Sequence, residues 1–164
     1  MRRASFGAGA GALLLLAGAC HHAAGTRSDG NATAPAKTVT VTIQSSNGAH
    51  VFNVETARTA AEQEQGLMFR TDIAEDGGML FAPYPPSGGP PQRATFWMKN
   101  TPSPLDIVFI RPDHTIARIA ENAVPFDESP IASGEPVAAV LELKGGRTSA
   151  LGIAEGDKVS WTGG

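Results

Sequence analysis

Apolar and polar residues alternate along much of the chain after Lys37. Val39, Val41 and Ile43 are separated by threonines, and this period of two is typical of a strand that buries one face. Ser46-Asn47-Gly48 is a turn sequence, so residues 50–56 are predicted as the second strand of a hairpin. Shorter apolar or alternating segments predict six more strands, at residues 79–81, 94–99, 105–111, 115–120, 137–144 and 158–162.

Helical signals are few. Thr59 and Glu62 have the spacing of a capping box, which predicts one short helix that begins near Thr59 and ends near Gly66. A helical turn is predicted at residues 148–152. Two segments rich in proline, glycine and polar residues, 83–91 and 122–135, are predicted as loops.

The order of these elements predicts the fold class. Strands follow one another without alternating with helices, which excludes a doubly wound parallel sheet. We predict a mainly β (α+β) domain over residues 37–164, a small antiparallel barrel or sandwich of about eight short strands with one or two short helices. A chain of 164 residues with 41% hydrophobic content is sufficient for one such core.

The start of the chain has a different pattern. Arg2 and Arg3 precede an uncharged segment, residues 6–19, with four consecutive leucines, and this is the pattern of a secretory signal peptide. The segment is shorter than the roughly 20 residues that cross a bilayer as a helix. Small residues lead into Cys20, the single cysteine, and residues 17–20 resemble a bacterial lipobox. This resemblance implies cleavage after residue 19 and acylation of Cys20, so that lipid chains anchor the protein to the membrane.

Residues 20–36 contain no large apolar side chain and are predicted as a flexible tether. We therefore expect the domain to lie in the cell envelope, lipid-anchored and facing the periplasm or the exterior. The chain has 13 basic and 16 acidic residues, a net charge of −3, and removal of residues 1–19 with their two arginines would make it −5. Because no basic cluster accompanies this balance, a nucleic-acid-binding surface is excluded.

Cysteine content and motifs limit the chemistry. One cysteine excludes an internal disulfide and a multi-thiolate zinc site. The chain has no Gly-x-Ser-x-Gly elbow, no His-Glu-x-x-His and no phosphate-binding loop. No metal, cofactor or catalytic residue is therefore predicted, and the oligomeric state is left open.

Several short blocks follow one another along the chain. They are Gly66-Leu67-Met68-Phe69-Arg70, Gly78-Met79-Leu80-Phe81, Phe96-Trp97-Met98-Lys99-Asn100-Thr101, Pro104-Leu105-Asp106-Ile107, Val140-Leu141-Glu142 and Gly152-Ile153 with Gly156-Asp157. Read in order, these blocks resemble the bacterial and archaeal family called domain of unknown function 192. The resemblance covers about Val39 to Trp161 and implies a compact β-rich single domain, without a settled activity. The segment 83–91 is longer than is usual for this family.

Strand alternation predicts which polar side chains share a face. Trp97 and Lys99 lie on one face of their strand, and Asp106 and Glu142 each lie opposite the apolar side of theirs. Arg70 follows the predicted helix. If the strands are neighbours, these five residues converge on one polar hollow.

Such a cluster fits a ligand site or a structural brace. In a ligand site, Trp97 would stack on a ring or a sugar, and Arg70 or Lys99 would bind an anionic group. Asp106 and Glu142 would accept hydrogen bonds from hydroxyl groups. In a brace, the same charges would form ion pairs between strands.

We predict an envelope-anchored protein that binds a small polar ligand or a partner. One alternative is an enzyme that acts on an envelope saccharide, with Asp106 and Glu142 as acid and base. The other alternative is a purely structural or assembly role.

Overall fold

Seven strands form one curled, half-barrel sheet, and two more form a small second sheet. The computed structural model describes residues 37–162, so the predicted signal peptide, Cys20 and the predicted tether lie outside the described residues. The elements, in chain order, are β1 (Thr38–Ser45), β2 (Gly48–Ala57), α1 (Ala60–Gln65), β3 (Gly78–Phe81), β4 (Gln92–Phe96), β5 (Leu105–Ile110), β6 (Ile116–Ala123), β7 (Ile131–Val137), β8 (Ala139–Lys144), α2 (Arg147–Leu151) and β9 (Lys158–Thr162). The predicted mainly β fold is confirmed.

The large sheet has the order β6-β5-β8-β3-β2-β1-β9, and β4 pairs with β7 in the small sheet. All neighbours are antiparallel except β2 and β3, which are parallel. The two edges of the large sheet approach each other, since the Ile116 amide donates to the Asp157 carbonyl at 2.9 Å and the Val159 amide to the His114 carbonyl at 2.8 Å. The sheet therefore curls towards a closed barrel.

Two hydrophobic cores lie on opposite faces of this sheet. The first core contains residues from all seven strands, and the second lies between the sheet and the β4–β7 pair. Strands β3, β5 and β8 have both faces covered, which explains why their sequences are mostly apolar, with Asp106 in β5 and Glu142 in β8 as buried exceptions. The first core includes Val41, Phe52, Leu80, Val108, Ile116, Leu141, Leu143 and Val159; the second includes Leu67, Met79, Phe81, Ala94, Met98, Ile107, Phe109, Val137 and Val140.

The structure corrects three predicted segments. Residues 122–135 are not one loop, because β7 begins at Ile131, and the predicted strand 137–144 is divided between β7 and β8. Gly134 and Pro136 gave β7 the composition of a loop, and such residues are tolerated in a strand that pairs on one side only. The strand predicted at 94–99 ends at Phe96, so Trp97 and Lys99 lie on the segment that follows it.

The predicted capping box is present at α1. The Thr59 hydroxyl accepts from the Glu62 amide at 3.3 Å, and the Glu62 carboxylate accepts from the Thr59 amide at 2.8 Å. The helix ends at Gly66, which lies against Phe81 of β3 and Glu142 of β8. Within residues 37–162, none of the helices has the length and hydrophobicity needed to cross a bilayer.

Candidate functional site

A cavity of about 330 Å³ opens between α1, the loop after β3 and the end of β4. Side chains of β3 and β8 form its floor, so it lies against the second core. A smaller cavity of about 260 Å³ adjoins it along residues 95–97 and adds Glu128 and Pro130. The lining residues of the larger cavity include Gln63, Glu64, Gly66, Leu67, Met68, Phe81, Tyr84, Thr95, Phe96, Trp97, Thr101 and Glu142.

Glu142 is the acidic residue of the floor. It lies on β8 opposite Met79 of β3 and Ile107 of β5, so both strand neighbours are apolar. Glu142 is 5% exposed, and its Oε2 atom has no hydrogen-bond partner. Burial raises the pKa of Glu142 to about 8, and the Leu67 amide offsets only part of this effect. At neutral pH this carboxyl group is therefore mainly protonated.

Two glycines allow the backbone to approach Glu142 closely. A Cβ at Gly78 would lie 2.0 Å from the Glu142 carbonyl oxygen, so only glycine fits at this point of the β3–β8 pair. Gly66 has φ +47°, and a Cβ there would lie 3.1 Å from the Phe81 ring and 3.6 Å from Glu142 Oε2. The short segment after α1 thus packs directly above the buried carboxyl group.

Gln63 of α1 contributes a second polar atom without a partner. Its Nε2 donates to the carbonyl oxygens of Ala57 and Pro83, at 3.0 and 2.9 Å. Because only the NH2 group can donate twice, these bonds assign the amide orientation and leave Oε1 as an acceptor. Among the described residues, Gln63 Oε1 and Glu142 Oε2 are the two buried side-chain polar atoms that lack a partner, and both residues line this cavity.

Aromatic side chains form the remaining wall. Phe96 packs edge-on against Phe81 with ring centres 5.1 Å apart, and Tyr84 lies 6.2 Å from Phe96. Burial raises the pKa of the Tyr84 phenol. Trp97, at 46% exposure, forms the outer rim. The cavity therefore combines aromatic faces with two buried polar atoms, which is a common composition for ligand sites.

Of the five residues predicted to form a site, Trp97 and Glu142 line the cavity. Lys99 lies beside Trp97, with its Nζ 5.0 Å from the centre of that ring, and is not among the lining residues. Arg70 instead pairs with Glu55, Nη2 to Oε1 at 2.7 Å, and does not line the cavity. The structure thus brings Trp97 and Glu142 to one cavity with Lys99 at the Trp97 ring, and ligand binding by these residues stays a prediction.

Asp106 has a different environment from the other four. Its Oδ1 accepts from the amides of Asn122 and Gly146, at 2.7 and 2.8 Å. Its Oδ2 accepts from the amide and the hydroxyl of Thr148, both at 2.7 Å. With four hydrogen bonds and no exposed surface, this carboxylate ties β5 to the end of β6 and to the start of α2.

Asp106 and Glu142 also lie on opposite faces of the sheet. Asp106 is paired with Leu143 of the first core, whereas Glu142 is paired with Ile107 of the second core. Residues that face each other across an antiparallel pair lie on the same side. The expected convergence of all five residues is therefore corrected, and these two carboxyl groups cannot flank one glycosidic bond. Within the part of the chain that the structure describes, no three His, Cys, Asp or Glu residues cluster as metal ligands do.

Several cavity residues were not predicted from the sequence. Gln63 was assigned to a helix but to no site, and Tyr84 lies in the proline-rich loop, where no pattern indicated its direction. Gly66 is the one of these residues that the sequence could have indicated, because it begins a block of the resembled family and ends α1.

A family model matches residues 41–161 of the chain. It is the model of DUF192, domain of unknown function 192, which is described as Uncharacterized ACR. The resemblance expected from the sequence blocks is thereby confirmed over nearly all of the described residues. No curated protein matches the chain.

Two solved structures are similar to this one. A protein of unknown function from Novosphingobium aromaticivorans DSM 12444 is 48% identical, with a TM-score of 0.73, over 79% of this chain and 89% of that chain. A protein from Sinorhizobium meliloti 1021, described as a candidate transcription regulator, is 42% identical, with a TM-score of 0.71, over 77% of this chain and 95% of that chain. Neither description assigns a ligand.

Proposed function

The chain belongs to the DUF192 family, and we propose that its domain binds a small polar ligand in the cavity above Glu142. The observation that carries this proposal is the pair of buried, partnerless polar atoms on Gln63 and Glu142. A buried polar atom without a hydrogen bond costs about 1 to 3 kcal/mol, so a fold retains two of them in one cavity only at some disadvantage. A bound ligand would remove that disadvantage.

The remaining lining supports a ligand rather than a second protein surface. The cavity is concave and about 330 Å³ in volume, which suits a molecule of a few heavy atoms to a small ring. Trp97 and Tyr84 supply flat faces for the apolar part of such a molecule, while Thr95 and Thr101 add hydroxyl groups at its edge.

The test measures the melting temperature of the full-length chain with three classes of small probe: butylammonium, glucose and butyrate. A ligand that binds only the folded state raises the melting temperature, by an amount that grows with the logarithm of the ligand concentration once this exceeds the dissociation constant. We expect at least one class to do so, and expect Trp97→Ala to abolish the rise. Phe69→Ala is the matched control, because Phe69 is exposed and does not line the cavity. No rise with any class, or a rise that survives Trp97→Ala, would contradict the proposal.

We also propose that the domain is anchored in the cell envelope through an acylated Cys20. The support is the signal-peptide pattern of residues 1–19 and the position of the single cysteine at its end. Several acyl chains, at about 0.8 kcal/mol for each buried methylene group, suffice for a stable anchor.

Cell fractionation tests the anchor. Cys20→Ala should move the protein from the membrane fraction to the soluble fraction, whereas Ser28→Ala, a change within the predicted tether, should leave it with the membranes. If Cys20→Ala still sediments with membranes, the proposed acylation is wrong.

A further inference from the structure

The two partnerless atoms of the cavity share one chemical requirement. Gln63 Oε1 is an acceptor, because its amide nitrogen is already committed to two carbonyl groups. Glu142 Oε2 is an acceptor whenever the carboxyl group is ionised. Once Glu142 has lost its proton, a ligand that satisfies both atoms at once must supply at least two N–H or O–H donors in a small volume. A primary ammonium group has three donors and no acceptor.

The charges around the cavity favour a cation. Glu64 and Glu142 line the larger cavity, and Glu128 lines the adjoining one. Within residues 37–162, no lysine, arginine or histidine lines either cavity. Lys99 lies over the ring of Trp97 at the outer rim, and Arg70 pairs with Glu55. An anionic ligand inside the cavity would find carboxyl groups in the lining and no basic side chain among the lining residues.

The aromatic wall of the cavity also favours a positively charged ligand. The faces of Trp97, Tyr84 and Phe96 carry negative electrostatic potential, which attracts ammonium groups within about 6 Å of a ring centre. Lys99 already makes this contact with Trp97, at 5.0 Å. The apolar part of an alkylamine would also bury its methylene groups against these rings.

We propose that the cavity selects a primary alkylammonium ion, with its nitrogen between Gln63 and Glu142 and its alkyl chain along the aromatic wall. This inference rests on the proposed function and adds the chemical class of the ligand. A quaternary ammonium ion is excluded because it has no N–H group for the two acceptors. A neutral alcohol of the same length lacks the charge.

Binding of this cation releases one proton from the protein. Gly66 lies above the Glu142 carboxyl, the Leu67 amide donates to it, and Met79 and Ile107 are the partners of Glu142 on the neighbouring strands. None of these residues titrates, and Glu64 and Tyr84 are the other titratable residues of the lining. Without a ligand, burial raises the pKa of Glu142 to about 8, so it holds a proton at pH 7. The arriving ammonium keeps its own protons, and the Glu142 proton leaves for the buffer as the ion pair forms.

The first measurement is a nuclear magnetic resonance titration of the full-length chain that follows the Gly66 and Leu67 amides and the Trp97 indole N–H. The probes are butylammonium, butan-1-ol and tetramethylammonium. At pH 9, where Glu142 with its pKa of about 8 is already ionised in the free protein, we expect butylammonium to bind about tenfold more tightly than butan-1-ol, as for a charge-assisted hydrogen bond against a neutral one. Glu142→Gln should reduce butylammonium affinity to that of butan-1-ol and leave butan-1-ol affinity unchanged.

The second measurement is calorimetry of butylammonium binding at pH 7 in phosphate and in Tris, which differ in enthalpy of protonation. A released proton makes the two apparent enthalpies differ, and Glu142→Gln should abolish that difference. Glu64→Gln is the matched control, since it removes an exposed carboxylate from the same lining and should keep the proton release.

The outcomes separate this inference from the proposed function. Equal affinity for butylammonium and butan-1-ol, or binding of tetramethylammonium as tight as butylammonium, would overturn the ammonium assignment and leave a ligand-binding cavity. Butylammonium binding without proton release would overturn the role of Glu142. If none of the three probes shifts the cavity resonances, the ammonium assignment is wrong, and the glucose and butyrate measurements decide whether the cavity binds any ligand.

Discussion

Two buried acids on adjacent strands of one sheet differ in how their carboxyl oxygens are hydrogen-bonded. Asp106 on β5 has no exposed surface and accepts four hydrogen bonds at 2.7 to 2.8 Å. Glu142 on β8 is 5% exposed, and one of its oxygens has no partner. Both follow apolar residues in the sequence, yet one carboxyl group holds the fold together and the other lines a cavity.

The difference lies in the groups that surround each carboxyl. A carboxylate can be buried at low net cost when donors are provided for its oxygens, and Asn122, Gly146 and Thr148 provide them for Asp106. Glu142 instead faces Phe81, Met79 and Ile107, so its proton is retained. A satisfied acid indicates structure, and an unsatisfied acid in a cavity indicates a site.

The largest expected effect is on Asp106. Asp106→Ala leaves three backbone amides and one hydroxyl without their acceptor, so the free energy of unfolding in urea should fall by about 3 to 5 kcal/mol. Thr148→Val is the matched control, because it removes one of the four bonds and should cost about 1 to 2 kcal/mol. Equal losses for the two variants would mean that Asp106 does not brace the fold.

Glu142→Gln should raise the free energy of unfolding, whereas Asp106→Ala lowers it. The size of the change for Glu142→Gln should depend on pH. Because the pKa of Glu142 is raised to about 8 in the folded state, the folded chain holds a proton that the unfolded chain loses above about pH 4.5, the ordinary pKa of a glutamate. The stability of the native protein therefore falls as the pH rises between these values, by about 1.4 kcal/mol from pH 6 to pH 7. Urea unfolding of Glu142→Gln should lack this fall. A pH dependence identical to that of the unmodified protein would refute the assignment.

Gly66→Ala tests how tightly the backbone covers Glu142. The change places a Cβ 3.1 Å from the Phe81 ring at φ +47°, so we expect a loss of about 2 kcal/mol in the free energy of unfolding. At Gly156, φ is +94° and a Cβ would meet nothing within 4 Å, so Gly156→Ala reports the backbone strain alone, about 1 kcal/mol. If the two variants lose the same stability, the contact above Glu142 is looser than the structure indicates.

The smallest effect is expected for an ion pair exposed to water. The Arg70 and Glu55 side chains are 42% and 24% exposed, so solvent screens their attraction despite the distance of 2.7 Å. A double-mutant cycle with Arg70→Gln and Glu55→Gln should give a coupling energy below about 1 kcal/mol in urea unfolding. A coupling as large as the loss from Asp106→Ala would show that exposed charges brace this fold as buried ones do.

Local patterns predicted the elements because they depend on neighbouring residues. The alternation at Val39, Val41 and Ile43 predicted β1, and Thr59 with Glu62 predicted the start of α1. The family blocks also implied a compact β-rich domain, because they are short local sequences. β7 was missed since Gly134 and Pro136 weaken the local signal, and its pairing with β4 is a long-range contact.

The candidate site was predicted only in part, because alternation shows which residues share a face and not which core that face meets. Asp106 and Glu142 were each placed opposite their apolar neighbours, but β5 and β8 are buried on both sides, so either face was compatible with the sequence. The register that pairs Ile107 with Glu142 puts the two acids on opposite faces, and a shift of one residue would reverse this.

By itself, the sequence determined the β-rich fold, the positions of most strands, the capped helix and membership of the DUF192 family. The tertiary structure alone decided that Asp106 meets four donors and that Glu142 meets a cavity. The donors to Asp106 come from residues 16 to 42 positions further along the chain, and the cavity over Glu142 from α1, β3 and the end of β4. Hydrogen bonding and burial depend on which distant segments pack together, and no local pattern of residues contains that information.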